Sequence, residues 1–449
     1  MNWSRRRWLG SAAALPAIST LPLLGGPAQA ADYRALVVVF LLGGNDGHNC
    51  LVPTDAAYGD YQRSRTNLAL PRASLLALPG TSAGHTFGLH PALASLVPLY
   101  ANQRLAWIAN AGTLIEPTTG ERARNGLARV PPSLLSHSEA QLMQQGWTVE
   151  DDLSGWAGRG VERLPTSLQH RLNTITMSDN RTLVQGRRSA PASLEAFALP
   201  QHFGIRGANL LERRPEVEAM FALARRQSDN AYANEYLRTL LRTLENATEL
   251  AQLTQSAAEP TQDFGSGVLG AQLRRVARLM RGAKARGYRR QVILVELGDF
   301  DTHANQRGSG SSTQDAQLVQ VAQALAALDE ANRAGGLDDN VVTLLMSDFG
   351  RTLRPGSGGG SEHGWGNHLF ALGGPVAGGQ VIGTFPDLTL GGPDDGDQQS
   401  NGRHVPTVAT DQLGATLMQW LGLEASQFHD VFPWLVNFPQ KTLPGLLRV

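Results

Sequence analysis

The sequence predicts a doubly wound α/β fold, with a mostly parallel central sheet and helices on both faces. Apolar, β-branched runs recur along the 449 residues, and several of them stop at glycine or aspartate. Helical patterns with apolar residues at three- and four-residue spacing lie between these runs. Alternation of strand and helix favours parallel strands that are joined by right-handed crossovers.

The clearest strand is the run ALVVVFLLGG at 35–44, because a continuous apolar run is typical of a strand buried on both faces. We expect further strands at 104–112, 291–299, 340–350 and 369–374. Helices are expected at 91–101, 268–286 and 315–334.

A long stretch of helical periodicity and mixed charge interrupts this alternation at 207–257. It predicts a helical insertion over about 205–258 that packs on the core. We expect residues 31–449 to form a single domain that contains the insertion.

Residues 1–30 have the features of an export signal: three arginines, a moderately apolar stretch over 8–24 and a small-residue cleavage site at 28–30. The sequence SRRRWL at 4–9 resembles a twin-arginine signature. An ordinary secretory signal or an uncleaved anchor helix remains an alternative, although the apolar stretch is shorter than about 18 uninterrupted residues. We expect an exported, periplasmic protein that uses the twin-arginine machinery and has no stable membrane span after cleavage.

The charge balance and the cysteine content bear on possible partners and on disulfide bonds. Three of the 39 basic residues lie within 1–30, which leaves 36 against 39 acidic residues, so nothing favours nucleic acid as a partner. Cys50 is the only cysteine, so an intrachain disulfide is excluded, and we expect this residue to be buried as a small apolar group.

Polar side chains follow three of the predicted strands, at the edge where ligands collect in open α/β sheets. They are Asp46, His48 and Asn49 after the first strand, Asp299, Asp301 and His303 after the strand at 291–298, and Asp348 and Arg351 after the strand at 340–346. Together with His363 they offer carboxylates and imidazoles for one or two divalent ions, whether Zn, Mn, Mg or Ca. Aspartate after a strand is also common as a helix cap or turn residue.

Two further residues are catalytic candidates. Ser136, with His137, stands before a predicted helix, where a hydroxyl nucleophile would meet exposed N–H groups, but Ser136 and Glu139 also fit a capping box. Arg351 has the geometry to bind an ester oxyanion, or alternatively a local carboxylate. Asn367 and His368 are candidates for orienting His363, and His48, Asn49, His137 and Asp299 for supporting or substrate-binding roles.

Several segments, in this order, resemble the family called domain of unknown function 1501: VVVFLLGGNDGHNCLVP, SHSEAQLMQQG, ELGDFDTHANQ and SDFGRTLRPGSGGGSEHGWGNHLFALGG. That exported family is similar to the alkaline phosphatase and sulfatase superfamily. The resemblance covers most of the chain after residue 30. It implies a two-metal site at the C-terminal edge of a mixed sheet, with a serine or threonine nucleophile at a helix N-terminus.

The resemblance also implies roles for individual residues. Asp46 is similar to the aspartate that binds one metal, and the ligands of the second metal are similar to Asp301, His303 and His363. Asp348 resembles the first member of an Asp-His pair, but Phe349 stands at the histidine position.

These expectations favour an exported, metal-dependent hydrolase of phosphate or sulfate esters, with a small anionic ester or an envelope polymer as substrate. The alternative is a non-catalytic exported binding or assembly protein on a phosphatase-like scaffold, which the substitution by Phe349 permits.

Overall fold

The computed structural model describes residues 32–146, 152–194 and 215–448, and in these ranges a nine-stranded mixed sheet forms the centre of the protein. The strands are β1 (Arg34–Leu41), β2 (Leu51–Pro53), β3 (Leu76–Ala77), β4 (Phe87–Leu89), β5 (Leu105–Gly112), β6 (Thr174–Thr176), β7 (Ala192–Ser193), β8 (Arg290–Leu297), β9 (Val341–Ser347), β10 (Arg351–Pro355), β11 (Ser361–His363), β12 (Asn367–Leu372), β13 (Gln380–Ile382) and β14 (Val408–Ala409).

The main sheet has the order β13-β5-β12-β9-β1-β8-β6-β7, and β14 pairs with β5 at its end. Strand β12 runs antiparallel to β5 and β9, whereas the other pairs of this sheet are parallel. Strands β10 and β11 form a separate hairpin, and β2, β4 and β3 form a small antiparallel sheet. The predicted mostly parallel α/β fold is confirmed.

The α-helices of the described ranges are α1 (Gly47–Cys50), α2 (Tyr58–Arg65), α3 (Val97–Ala101), α4 (Gly120–Arg124), α5 (His137–Gln144), α6 (Trp156–Glu162), α7 (Pro215–Ala224), α8 (Ala231–Ser256), α9 (Val268–Ala285), α10 (Gln314–Ala334), α11 (Thr410–Leu421) and α12 (Phe428–Val431). Short 3-10 helices cover Thr66–Leu68, Arg72–Ser74, Pro91–Leu96, Thr166–Leu168, Thr182–Val184, Asp338–Asn340, Ala425–Gln427 and Pro433–Asn437. The helix predicted at 91–101 therefore begins as a 3-10 helix.

Helices cover both faces of the sheet because alternate residues of β1 point to opposite sides. Val37 and Val39 join an apolar cluster that includes the buried faces of α9 and α10. Leu36 and Val38 join a second cluster, with α6 and α11. Both faces of this strand are thus buried, which is why its sequence is continuously apolar.

The predicted helical insertion corresponds to α7 and α8, and its first residues, up to 214, lie outside the described residues. Helix α7 packs on α8 in a small apolar cluster of its own, around Phe221 and Leu244. The C-terminal half of α8 packs on the main core through Leu250 and Leu253. The domain limits at 31 and 449 remain a prediction.

The proposed export signal also lies outside the described residues, which begin at Asp32. Within the described ranges, no helix combines the length and the apolar character that a membrane crossing requires. Cys50 is buried as expected, and burial raises the pKa of its thiol to about 12.

Candidate metal centre

Four side chains from three segments of the chain approach one another beyond the carboxyl ends of the central strands. The ligand atoms of His137 at the start of α5, Asp301 after β8 and His363 at the end of β11 all lie within 4.8 Å of one another, and His303, two residues after Asp301, lies beside Asp301 and His363. Oδ1 of Asp301 lies 3.0 Å from Nε2 of His303 and 3.3 Å from Nε2 of His363. Oδ2 of Asp301 lies 3.3 Å from Nε2 of His137.

These separations suit ligands of one cation. Around a tetrahedral ion with bonds of about 2.0–2.1 Å, neighbouring ligand atoms lie about 3.3 Å apart. Nε2 of His303 and Nε2 of His363 are 3.0 Å apart, close enough to share one ion. The four side chains are 21% to 45% exposed, so solvent and small molecules can reach them.

Each of the three imidazoles is fixed through its other nitrogen, Nδ1. The partners are Asp348 Oδ2 for His137 at 2.8 Å, Glu362 Oε2 for His303 at 2.7 Å, and the Leu135 carbonyl for His363 at 2.7 Å. An acceptor at Nδ1 keeps the proton on that nitrogen and leaves the Nε2 lone pair for a cation. The donor set, three imidazoles and one carboxylate, therefore fits a divalent transition metal or zinc.

Asp301 is held as an ionised ligand by Arg351. Burial alone would raise the pKa of Asp301, but the hydrogen bond and charge of Arg351 lower it to about 2. The guanidinium is fully buried and also donates to carbonyl oxygens of Gly43, Gly44, Phe300 and Ser361. All three of its nitrogens are thus occupied within the protein, and the expected oxyanion-binding role gives way to its alternative, a salt bridge to a local carboxylate.

The paired glycines after β1 allow this close packing. Gly43 and Gly44 have φ of +113° and +81°, in the region that favours glycine. A Cβ atom on Gly43 would lie 2.4 Å from the backbone nitrogen of Asp301.

Asp348 supports the centre from behind and is not one of the converging groups, in contrast to the sequence prediction. It is 1% exposed, and its carboxylate accepts from His137 Nδ1, from Gln141 Nε2 at 3.0 Å and from the Gly43 N–H at 3.2 Å. The hydrogen bond to Asp348 is the largest cause of a raised pKa at His137. His137, expected as a supporting residue, is instead a candidate ligand.

Asp46 also departs from its predicted role as a metal ligand. It is fully buried, forms an ion pair with the equally buried Arg65, and accepts from Gln306 Nε2 at 2.6 Å and from the His48 N–H at 3.1 Å. Its oxygens are therefore satisfied by protein groups, because Arg65 supplies the positive charge that a metal would bring.

Phe349 forms an apolar wall of the centre. Its ring centroid lies 4.9 Å from that of His137 and 4.7 Å from that of His363. Gly44 leaves room for this ring, since a Cβ there would lie 2.5 Å from Phe349 Cε2. Within the part of the chain that the structure describes, the converging donor groups therefore suit one ion rather than two.

Ser136 is the residue before α5, but its hydroxyl does not cap that helix. It donates to Glu139 Oε2 and lies 3.2 Å from the Ser138 hydroxyl. The predicted reciprocal capping box is thus absent, and the hydroxyl faces Glu139 in the exposed first turn of the helix.

The remaining predicted residues have structural surroundings. Asn49 accepts from the Tyr61 hydroxyl and donates to the Leu68 carbonyl, and Asn367 donates to the Phe349 carbonyl. Asp299 is exposed and has φ of +69°, at the turn that follows β8.

His48 and His368 belong to a buried cluster with His404, a residue that no sequence pattern indicated. The ring of His48 lies 5.4 Å from that of His368 and 4.9 Å from that of His404. Burial lowers the pKa of all three imidazoles, that of His368 to about 3. They are therefore neutral packing groups and do not orient His363.

Several residues of the centre carried little sequence signal. Because Glu362 directly precedes His363, the sequence places it near the centre, but it does not indicate that Glu362 pairs with His303. The carbonyl of Leu135 has no side-chain signature at all. Gln141 and Arg65 reach the carboxylates of Asp348 and Asp46 only through the tertiary fold.

The family model described as a protein of unknown function, DUF1501, matches residues 33–427. The chain belongs to the DUF1501 family. No curated protein matches this DUF1501 chain in sequence.

Solved structures with partial similarity include a protein in the alkaline phosphatase superfamily from Vibrio parahaemolyticus, at 10% identity and TM-score 0.34, over 88% of this chain and 69% of that one. The PsFucS1 sulfatase from Pseudoalteromonas sp. has 12% identity and TM-score 0.35, over 93% and 74% of the two chains. The phosphonate monoester hydrolase SpPMH from Silicibacter pomeroyi has 9% identity and TM-score 0.31, over 88% and 74%. These TM-scores are too low to transfer an activity to the DUF1501 protein.

Removing a ligand of the centre should abolish metal binding. We expect His137→Ala, His363→Ala and Asp301→Asn each to lower bound metal from about one ion per chain to a trace. Asp348→Asn and Glu362→Gln should weaken affinity about 10- to 100-fold, because they release the imidazoles of His137 and His303. Elemental analysis after loading and dialysis measures this, with the exposed His429→Ala as control; equal metal content in all variants would contradict the assignment.

Asp46→Asn should destabilise the DUF1501 protein without removing its metal. The substitution leaves Arg65 buried with a weakened partner, which costs about 3–5 kcal/mol of unfolding free energy. Denaturant unfolding and metal stoichiometry are measured together, and Asp60→Asn, at an exposed ion pair, serves as control with a change under about 1 kcal/mol. Loss of metal with unchanged stability would restore Asp46 as a ligand.

The buried histidine cluster should make stability fall in mild acid. The folded chain keeps these imidazoles neutral while the unfolded chain protonates them below about pH 6.5, so stability is complete above that pH and declines towards pH 3. The slope is at most about 1.4 kcal/mol per pH unit for each histidine. Denaturant unfolding with chelator present should show a smaller slope in His368→Gln; an unchanged slope would refute the assignment of His368.

Proposed function

We propose that this chain is an exported, metal-dependent hydrolase of phosphate or sulfate esters that holds one divalent cation at His137, Asp301, His303 and His363. One observation carries the proposal: three imidazoles are each fixed at Nδ1 by an acceptor and present Nε2 around a single ionised carboxylate. Protein histidines are held in this way when they serve as metal ligands.

The charge of the centre favours an anionic substrate. Three neutral imidazoles and one carboxylate would leave a divalent ion with a net charge of about +1 on the side open to solvent. The buried guanidinium of Arg351 lies beneath it, and the carboxylates of Asp348 and Glu362 lie on the far side of the imidazoles. A bound divalent cation supplies Lewis-acid stabilisation of an anionic ester and lowers the pKa of a nearby hydroxyl. The chain itself supplies the orientation of the ligands, the ionised state of Asp301 and an apolar wall at Phe349.

Ser136 is the candidate nucleophile that belongs to this proposal. Its neighbour His137 lies in the centre, and the carbonyl of Leu135, one residue earlier, holds His363. In the present arrangement its hydroxyl donates to Glu139, whose pKa is lowered by hydrogen bonds from Ser136 and Ser138. Glu139 is therefore a weak base, and Ser136 would have to turn away from it before attacking an ester.

Export remains part of the proposal through the twin-arginine features of residues 1–30. Twin-arginine export carries folded proteins, so a metal would be loaded before translocation to the periplasm. A small anionic ester or an envelope polymer would be the substrate there.

The second candidate is a non-catalytic exported protein that binds metal on the same scaffold. Two observations favour it: the nitrogens of Arg351 are all engaged by protein oxygens, and the Ser136 hydroxyl is paired with Glu139. Neither group is free to act on a substrate in this arrangement.

Turnover of generic esters separates the two candidates. The chain without residues 1–30 is loaded with Zn, Mn, Mg or Ca and assayed on a phosphate monoester, a phosphodiester and a sulfate ester. The hydrolase proposal expects turnover that Asp301→Asn abolishes and that Ser136→Ala lowers at least about 100-fold if this serine attacks. Turnover that survives in Ser136→Ala assigns the attack to water, metal binding without turnover favours the second candidate, and the absence of stoichiometric metal overturns the hydrolase proposal.

A further inference from the structure

A carboxyl group that the proposed reaction does not use lies behind the metal centre. Glu296 is the penultimate residue of β8, and by strand alternation it points to the same side of the sheet as Val292 and Leu294. It stands where that apolar face meets the polar loops at the carboxyl edge of the sheet. Its Oε1 atom is shielded from solvent and has no hydrogen-bond partner within the described ranges.

A continuous series of hydrogen bonds connects Glu296 with His137. Ser178 Oγ donates to Glu296 Oε2 and accepts from the Asn180 backbone N–H at 3.0 Å. The side-chain amide of Asn180 donates to Gln141 Oε1 at 3.4 Å. Gln141 Nε2 then donates to Asp348 Oδ2 at 3.0 Å, and His137 Nδ1 lies 2.8 Å from the same oxygen. The series runs from β8 through the loop after β6 to α5 and then to the end of β9.

The orientation of the Gln141 side-chain amide is fixed by its two partners in this series. Because Gln141 Oε1 accepts from Asn180, its amide nitrogen must face Asp348. Asp348 in turn holds the Nδ1 proton of His137 and thereby sets how strongly Nε2 binds a cation. The Asn180 backbone that begins this alignment is held by the Ser178 hydroxyl, which Glu296 orients.

The surroundings of Glu296 make its charge sensitive to pH. Burial is the main reason that the pKa of Glu296 is raised to about 7, and the negative charges of Asp348 and Asp179 add to it. The hydrogen bond from Ser178 acts in the opposite direction. Both charged groups that act on Glu296 are thus acidic: Asp348 lies across β1, and Asp179 lies in the loop after β6.

We propose that Glu296 is a positioning residue of the metal centre, acting through Ser178, Asn180 and Gln141 on Asp348 and hence on the cation affinity of His137. The inference rests on the proposed metal site and adds a residue that governs it. As a carboxylate, Glu296 only accepts, so the Ser178 hydroxyl must donate to it and offer its lone pair to Asn180. As a neutral acid, Glu296 can donate to Ser178 instead, which frees the Ser178 proton to turn elsewhere, so that the hydroxyl is no longer held in the orientation that accepts from Asn180.

Co²⁺ titrations between pH 6 and pH 8.5 test this, with the full chain lacking only residues 1–30. Glu296→Gln should bind Co²⁺ about 3- to 10-fold more weakly than the wild type at pH 8, where the carboxylate is ionised, and equally well at pH 6. Ser178→Ala, which keeps the carboxyl group but breaks the series, should weaken binding to the same extent. The matched control is Glu330→Gln, since it removes one exposed carboxylate on α10 and should leave the whole profile unchanged.

Identical pH profiles for the wild type and Glu296→Gln would overturn the inference while leaving the metal site intact. An effect of Glu296→Gln without one of Ser178→Ala would also overturn it, because the action would then be long-range charge rather than positioning. If the wild type binds no Co²⁺, the proposed function fails, and the Nδ1 proton resonance of His137 in metal-free protein decides the inference. That resonance should shift in Glu296→Gln and Ser178→Ala but not in Glu330→Gln; unchanged resonances would refute the role of Glu296.

Discussion

The buried guanidinium of Arg351 is the interaction on which the centre depends. It gathers carbonyl oxygens of the loops after β1 and β8 and of strand β11, and it pairs with Asp301. Its position, directly at the start of β10, places a permanent positive charge under three converging segments. Since an unpaired buried charge is very costly, these segments are held close to it, and the side chains above them are pre-positioned.

The same charge fixes the state of the carboxylate at the centre. Asp301 stays ionised because Arg351 is beside it, and its two oxygens face Nε2 of His137, His303 and His363. Acceptors on the far side of each imidazole then select the tautomer. The centre is therefore arranged in two layers, with Asp348, Glu362 and the Leu135 carbonyl behind the histidines, and Glu296 more distant still.

Protein groups surround Asp46 and Asp348, where the family resemblance implied the other of the two metals. The Arg65–Asp46 pair is internally neutral, and Phe349 replaces a histidine with an apolar ring packed on His137 and His363. The positive charge that the Asp46 carboxylate needs comes from Arg65, and the space beside His137 and His363 is filled by the Phe349 ring. The described residues of the DUF1501 chain therefore offer one cluster of candidate metal ligands, within an α/β fold of the expected type.

The sequence by itself determined five strands of the central sheet and the edge of the sheet at which polar residues meet. Continuous apolar runs located β1, β5, β8, β9 and β12, because strands buried on both faces tolerate no alternation. The tertiary structure alone decided which carboxylate faces the clustered histidines, since Asp46, Asp301 and Asp348 all follow strands in the same way. Their roles differ because their partners differ. Arg65 forms a buried ion pair with Asp46, and Arg351 keeps Asp301 ionised but leaves it partly exposed. His137 and Gln141 form hydrogen bonds with Asp348. Such pairings depend on contacts between residues up to about three hundred positions apart, and no local pattern of residue types records them.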